Sequence, residues 1–310
     1  MFARGTALVL KLIGRKGTSM PGSWAIILCP DFIGRMPKPK KIIGITGTNG
    51  KTTVSNMIED VLEDNGIEFM CNRSGTNVAT GVASTLIANS HFFGKPKCDL
   101  AVFELDERSA PNIYPYMQPD IVLCTNIFRD SYKRNAHAEF ILDILNKEIP
   151  KGTKLVLNGD DPLCSSIKPE NDRVYFGIDH LDTDKKECDN IVNDVPACPK
   201  CHGPLVHDIV RYHHIGRVHC GYRSPDIDYL ATDIDTKDMR MNVTVGDKKS
   251  EYPLLNSTNI NIYNALAAIA TLREFGLSEE KIRNSMEKMG ISETRYSEKE
   301  VNGRKYILHL

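Results

Sequence analysis

The chain has 310 residues, 41% of them hydrophobic and 25% charged, with a formal net charge of −1. These are ordinary proportions for a globular protein of about two domains. The balanced charge gives no electrostatic reason to expect nucleic acid as a partner, and no apolar run approaches the ~18 residues of a membrane span. The nine cysteines are an odd number. Five of them, Cys29, Cys71, Cys98, Cys124 and Cys164, lie in or beside apolar runs. This is the pattern of reduced thiols in a cytoplasmic protein rather than of a disulfide framework.

Met1 to Ile13 is mildly apolar but carries Arg4 and Lys11 and lacks a clear cleavage site, which predicts a helix of the folded protein rather than a leader. A turn cluster, residues 17–22, precedes the apolar run Trp24 to Leu28, and Pro37 and Pro39 mark a linker, so residues 1–40 form an N-terminal segment. The stretch that organises the chain follows. Ile42 to Ile45 predicts a buried strand, Gly47-Thr48-Asn49-Gly50 a glycine turn, and Lys51-Thr52-Thr53 opens a helix with apolar residues at Val54, Met57, Ile58, Val61 and Leu62, stopped by Gly66. Strand, glycine turn, Lys-Thr and helix together make a phosphate cradle. Backbone amides face the anion, Lys51 reaches the outer phosphates, and the Thr52 hydroxyl holds Mg²⁺. The first glycine of the general pattern would fall at Ile45, so a plain strand-to-helix turn is the alternative.

The wording Gly-Thr-Asn-Gly-Lys-Thr-Thr resembles the nucleotide loop of the Mur ligase family. Those enzymes use ATP to join an amine to a carboxylate through an acyl phosphate. Downstream, Ile67 to Cys71 predicts a short strand, followed by the polar loop Asn72 to Asn77, either a simple connection or a substrate-facing loop. Asp99 to Leu105 is a buried strand ending in three carboxylates, Glu104, Asp106 and Glu107, suited to Mg²⁺ opposite the phosphates or to plain solvation. Glu104 is the favoured ligand, and the resemblance implies a metal-binding Glu there. Asp120 to Asn126 is another strand, leading into Ile127-Phe-Arg-Asp130. An Asn-x-x-Arg-Asp at this point resembles the MurT-like branch of the family, although only Arg134 of the residues that follow matches. Ala138 to Ile149 predicts a helix, Lys154 to Asn158 and Val174 to Ile178 strands, and Asn-x-Asp160-Asp161-Pro recurs in the family or marks a tight turn. The alternation predicts an α/β fold, a P-loop Mur-ligase central domain over residues 41–290 with a mostly parallel sheet.

Residues 188–225 break that rhythm. Cys198-Pro-Lys-Cys201 has the spacing of a zinc knuckle, and Cys220 follows nineteen residues later, but position 223 is Arg223. His219 is the chosen fourth ligand, with His214, His213, His202 and Cys188 as other candidates. An ion-free degenerate knuckle and a redox pair remain open. A ribbon-like insertion here sharpens the resemblance to the MurT-like branch. Beyond it, Asp233 to Val245 and Glu251 to Leu255 predict antiparallel strands. Asn261 to Asn264 opens a helix ended by Gly276, and Ser278 caps another closed by Gly290. The resemblance implies that Asn264 lies near the adenine and that Arg295 reaches the phosphates. An N-terminal helix residue and a solvated Arg are the alternatives.

The resemblance further implies that residues 291–310 begin a Rossmann-like C-terminal domain whose remainder is missing. It implies an ATP-dependent ligase that amidates the α-carboxylate of D-glutamate in lipid II, with ammonia from a GatD-like glutaminase subunit. Lys51 and Glu104 are the catalytic expectation, and ATP, Mg²⁺ and Zn²⁺ the cofactors. Docking of the glutaminase is expected to be lost without the missing domain. Another Mur or folylpolyglutamate-type ligase, or an inactive nucleotide-binding paralogue, is the alternative.

Overall fold

A computed structural model describes residues 19–73, 76–91, 94–129, 137–188 and 195–289, and the backbone of 296–301 and 304–309. The expected helix at Met1 to Ile13, Asp130, Arg134, Gly290 and Arg295 lie outside these residues.

The sheet has nine strands in the order β11-β10-β9-β6-β5-β4-β1-β3-β2. These are β1 Lys41–Thr46, β2 Phe69–Cys71, β3 Leu100–Glu104, β4 Ile121–Cys124, β5 Lys154–Asn158, β6 Arg173–Ile178, β9 Tyr229–Asp235, β10 Arg240–Val245 and β11 Lys248–Pro253. The run from β2 to β9 is parallel, while β10 and β11 close one edge antiparallel. The central strands are apolar on both sides because helices cover both faces. Helices α3 (Lys51–Asp64), α6 (Asn259–Phe275) and α7 (Glu279–Lys288) pack on one face with Ile43, Ile45, Leu123 and Val156. Helices α4 (Ala79–Ala88) and α5 (Ala138–Glu148) cover the other with Ile42, Phe103, Val122 and Leu155. Upstream, α1 (Met20–Leu28) packs on α4, and α2 (Phe32–Arg35) follows it. The approach of α1 and α4 is close at Gly22, whose amide donates to Ser84 Oγ at 2.8 Å and where a Cβ would lie 2.0 Å from the Thr80 carbonyl.

One expected strand divides in two. Asp233 to Val245 is not continuous: β9 ends at Asp235, whose carboxylate accepts from the amides of Lys237 (2.8 Å) and Asp238 (3.0 Å), and the chain reverses into β10. An Asp side chain replaces the Gly or Pro that would have marked the turn. Residues 207–218 form a separate two-stranded hairpin, β7 His207–Tyr212 with β8 Ile215–Val218. The backbone of β12 (Tyr296–Val301) and β13 (Arg304–His309) forms another.

Candidate functional site

The site lies at the C-terminal ends of β1, β3 and β4, which is where parallel sheets present their loops. β1 is driven into the sheet by Ile42, Ile43 and Ile45, and the chain then turns through Gly47 and Gly50, at φ +116° and +85°. L side chains avoid that region, so glycine is required at both. Helix α3 starts at Lys51, and its first-turn amides have no partner within the helix, leaving them aimed at the space above β1.

The β4 end holds the loop in place. Asn126 accepts from Thr48 N through its carbonyl (2.8 Å) and from Asn49 N through its side chain (3.0 Å), and its own Nδ2 donates to the Asn49 carbonyl (3.0 Å). Thr125 Oγ1 also donates to the Asn49 carbonyl, at 2.7 Å. The Phe128 amide donates to Thr48 Oγ1 (2.9 Å).

The three carboxylates after β3 take separate tasks. Glu104 Oε2 accepts from Thr52 Oγ1 at 3.0 Å. Glu107 Oε1 pairs with Lys51 Nζ at 3.0 Å and accepts from Gly47 N at 2.8 Å. Asp106 turns away and caps a 3₁₀ segment by accepting from Arg108 N. Two residues of the polar loop after β2 fix Glu104: Asn72 exchanges bonds with its backbone (2.9 and 2.8 Å), and Asn77 Nδ2 lies 3.3 Å from its Oε1. Pairing of Glu107 with Lys51, and the parts of Asn72, Asn77 and Asn126 in holding Glu104 and the loop, are not specified by the sequence; their signal is position, just past the C-terminal ends of β2, β3 and β4.

The Thr52–Glu104 distance tests the fit of Mg²⁺. Octahedral Mg²⁺ with ligands at about 2.1 Å places neighbouring ligand oxygens about 3.0 Å apart, which matches this pair. Asn264, on α6, is buried against the loop from the other side: a Cβ on Gly50 would meet its Oδ1 at 2.3 Å. Thr53 lies in the first turn of α3. Lys51, Thr52, Glu104 and Asn264 are thus gathered around one loop.

The cysteine cluster stands apart, beyond β6. The sulfurs of Cys198, Cys201 and Cys220 lie within 4.8 Å of one another, Cys201 and Cys220 at 3.5 Å. Tetrahedral zinc with bonds of about 2.3 Å needs sulfurs about 3.8 Å apart, so the three fit. Backbone hydrogen bonding from Gly203 lowers the Cys201 thiol to about 7, while burial raises that of Cys198. The structure does not place His219 with the three thiols: its Nδ1 pairs with Asp208 Oδ1 at 2.5 Å. Among the described residues, no fourth His, Cys, Asp or Glu joins the three thiols. His214 is buried 3.4 Å from Asp161 instead.

Comparison with known proteins bears on the domain and the fold. The model of the Mur ligase middle domain matches residues 45–194. The chain is 34% identical over 282 residues to the MurT subunit of the glutamine-hydrolysing lipid II isoglutaminyl synthase of Staphylococcus aureus, a match covering 89% of this chain and 62% of that one. The Streptococcus pneumoniae MurT subunit is also 34% identical, over 92% of this chain and 64% of its own. The chain therefore spans less than two thirds of the length of these relatives. A pseudomurein peptide ligase type C from Methanothermus fervidus shares the fold with a TM-score of 0.66 at 24% identity, over 90% of this chain and 55% of that one. MurF ligase from Thermotoga maritima, solved in complex with ADP, does so at 0.58 and 14%, over 91% and 56%. The α/β sheet, the loop after β1 and these matches together show that residues 45–194 carry a Mur ligase middle domain in a Mur ligase-like fold.

Proposed function

We propose that this chain is the ATP-binding part of a carbon–nitrogen ligase that amidates the α-carboxylate of D-glutamate in the lipid II stem peptide. The observation that carries the nucleotide site is the 3.0 Å approach of Thr52 Oγ1 to Glu104 Oε2 at the mouth of the glycine loop. The substrate assignment rests on the similarity to the MurT subunits.

In this reading, the loop amides and the first turn of α3 receive the β- and γ-phosphates of ATP. Lys51 moves its charge from Glu107 to the transferring phosphoryl group, and Asn264 bounds the base beside Gly50. Thr52 and Glu104 hold Mg²⁺, which neutralises charge on the phosphates. A carboxylate oxygen of the substrate attacks the γ-phosphorus and ADP leaves, giving an acyl phosphate. Ammonia then attacks the acyl carbon, phosphate departs, and the nitrogen loses a proton to leave the amide. The protein's part is positioning and electrostatic stabilisation, which dominates phosphoryl transfer. The ammonia source is a glutaminase subunit, and Cys198, Cys201 and Cys220 hold zinc with a fourth ligand from outside the three.

The test is phosphate release from ATP with lipid II and ammonium, with and without a glutaminase partner. Release that depends on both substrates supports the ligase. ATP binding without any release supports a nucleotide-binding module.

A further inference from the structure

The hairpin β7–β8 joins two places that sequence reasoning treated separately. Its root lies in the cysteine cluster: Cys201 precedes His207 by six residues, and Val218 leads through His219 into Cys220. Its tip, Tyr212-His213-His214, lies against Phe128. The rings of Phe128 and Tyr212 stack at 6.2 Å and 10°, His213 meets the same ring edge-on at 5.4 Å, and His214 lies at 4.6 Å. Phe128 is the residue whose backbone exchanges contacts with Thr48 of the nucleotide loop, amide to Oγ1 at 2.9 Å and carbonyl from Oγ1 at 3.2 Å.

The hairpin is fixed to the sheet between these ends. Asp160 and Asp161, at the end of β5, are fully buried. Asp160 Oδ2 accepts from Arg211 Nη1 (2.9 Å), from Tyr263 OH (2.7 Å) and from Ile178 N (2.9 Å), while its carbonyl accepts from Gly216 N (2.7 Å). Asp161 Oδ2 accepts from Ile127 N at 2.8 Å, beside Phe128, and its Oδ1 lies 3.4 Å from His214. A buried ion pair that breaks at high cost allows little rotation of the hairpin. The buried contacts therefore hold the hairpin tip, and with it Phe128, in one position relative to the sheet.

We propose that this hairpin is a strut that sets the nucleotide loop through Phe128, making Phe128 and the hairpin tip positioning residues for ATP. The inference rests on the nucleotide-binding reading above and adds positioning residues to that site. Packing between aromatic rings is strong enough for this: losing the ring of Phe128 removes three contacts of the kind that contribute measurably in double-mutant cycles.

The experiment is calorimetric titration of the full chain with Mg·ATP, alongside thermal unfolding of each variant. Phe128→Leu keeps an apolar side chain and the backbone contacts to Thr48, and is expected to weaken ATP about tenfold. Phe128→Tyr restores the ring and is expected to bind within about twofold of wild type. His213→Gly, at an exposed turn position with φ +51° that glycine favours, keeps the fold and is expected to weaken ATP severalfold. Folded Phe128→Leu and His213→Gly proteins that bind as wild type overturn the strut. If Phe128→Leu does not fold, His213→Gly decides. A wild-type chain that binds no ATP overturns the proposed function instead, and wild-type binding with unchanged variants overturns the strut alone.

Discussion

Replacing Gly47 by alanine examines the loop at its tightest point. Gly47 has φ +116°, outside even the left-handed helical well, where an L residue is strained by about 1–3 kcal/mol. The added Cβ would lie 2.2 Å from Thr125 Oγ1, 2.8 Å from Thr125 N and 2.9 Å from the Asn126 carbonyl. The hydroxyl can rotate away, at the loss of its 2.7 Å bond to the Asn49 carbonyl, about 1 kcal/mol. The backbone atoms cannot. The loop must retract, stretching the 2.8 Å bonds from Thr48 N to Asn126 O and from Gly47 N to Glu107. The second has a charged acceptor and contributes about 1.5–3 kcal/mol. Together these oppose the native loop by up to about 3.5–7 kcal/mol, an affinity loss of at least a hundredfold. The assay is Mg·ATP affinity by calorimetry, with Gly66→Ala as the control. Gly66 ends the same helix at φ +68° with nothing within 4 Å of an added Cβ, so that variant bears backbone strain alone and is expected to bind ATP normally. Gly47→Ala protein that is folded and binds within threefold of wild type would refute the assignment of this loop to phosphate.

Other outcomes follow from separate parts of the molecule. Glu104→Gln keeps the shape beside Thr52 but removes the charge, and is expected to raise the Mg²⁺ concentration needed for ATP binding by at least about tenfold, read from titrations at fixed ATP. Asp160→Asn leaves Arg211, whose side chain is fully buried, with Asp184 at 3.3 Å as its remaining carboxylate; a loss of about 1.5–3 kcal/mol in urea unfolding is expected, and a change below about 1 would count against the buried network. Burial raises the carboxyl of Glu59 above its ordinary value of 4.5. Its charged form therefore opposes folding, and the stability present below pH 4.5 is lost as pH rises through the raised value. Glu59→Gln should remove that loss, so its urea midpoint should exceed wild type at neutral pH and converge with it below about pH 4.5. Metal analysis of purified protein is expected to return one zinc per chain, and a stoichiometry near zero would leave the three thiols as an ion-free knuckle.

The legible parts of the chain are those where one local rule acts alone. The run Ile42 to Ile45, the glycines at 47 and 50 and the apolar period from Val54 to Leu62 each specify one element, and the structure has β1, the loop and α3 at those residues. Where several residues of one chemistry crowd together, pattern does not choose among them. Glu104, Asp106 and Glu107 fall within four positions, and only the 3₁₀ segment that begins at Glu107 decides which faces Thr52 and which faces Lys51. Five residues near the cysteines could serve as a fourth ligand by type, and the structure pairs His219 with Asp208 and buries His214 beside Asp161, away from the three thiols. The break between β9 and β10 was missed because an Asp side chain closes that turn without glycine or proline.

The pairing of Lys51 with Glu107 carries a consequence for the loop as a whole. Lys51 Nζ donates to the Gly47 carbonyl at 2.5 Å, and Glu107 accepts from both Lys51 and Gly47 N. The side chains of both are nearly buried, at 12% and 9% exposure, so neither charge is well solvated. The pair braces the glycine turn from inside and holds a cation where a phosphate would otherwise have to attract one from solvent. In the proposed function, a phosphate arriving at the amides of α3 competes with Glu107 for a lysine already in place, and the reorganisation required is a short movement of one side chain. In that reading the cation stands beside the phosphate site before the reaction begins, which is how a charge stabilises phosphoryl transfer at low reorganisation cost.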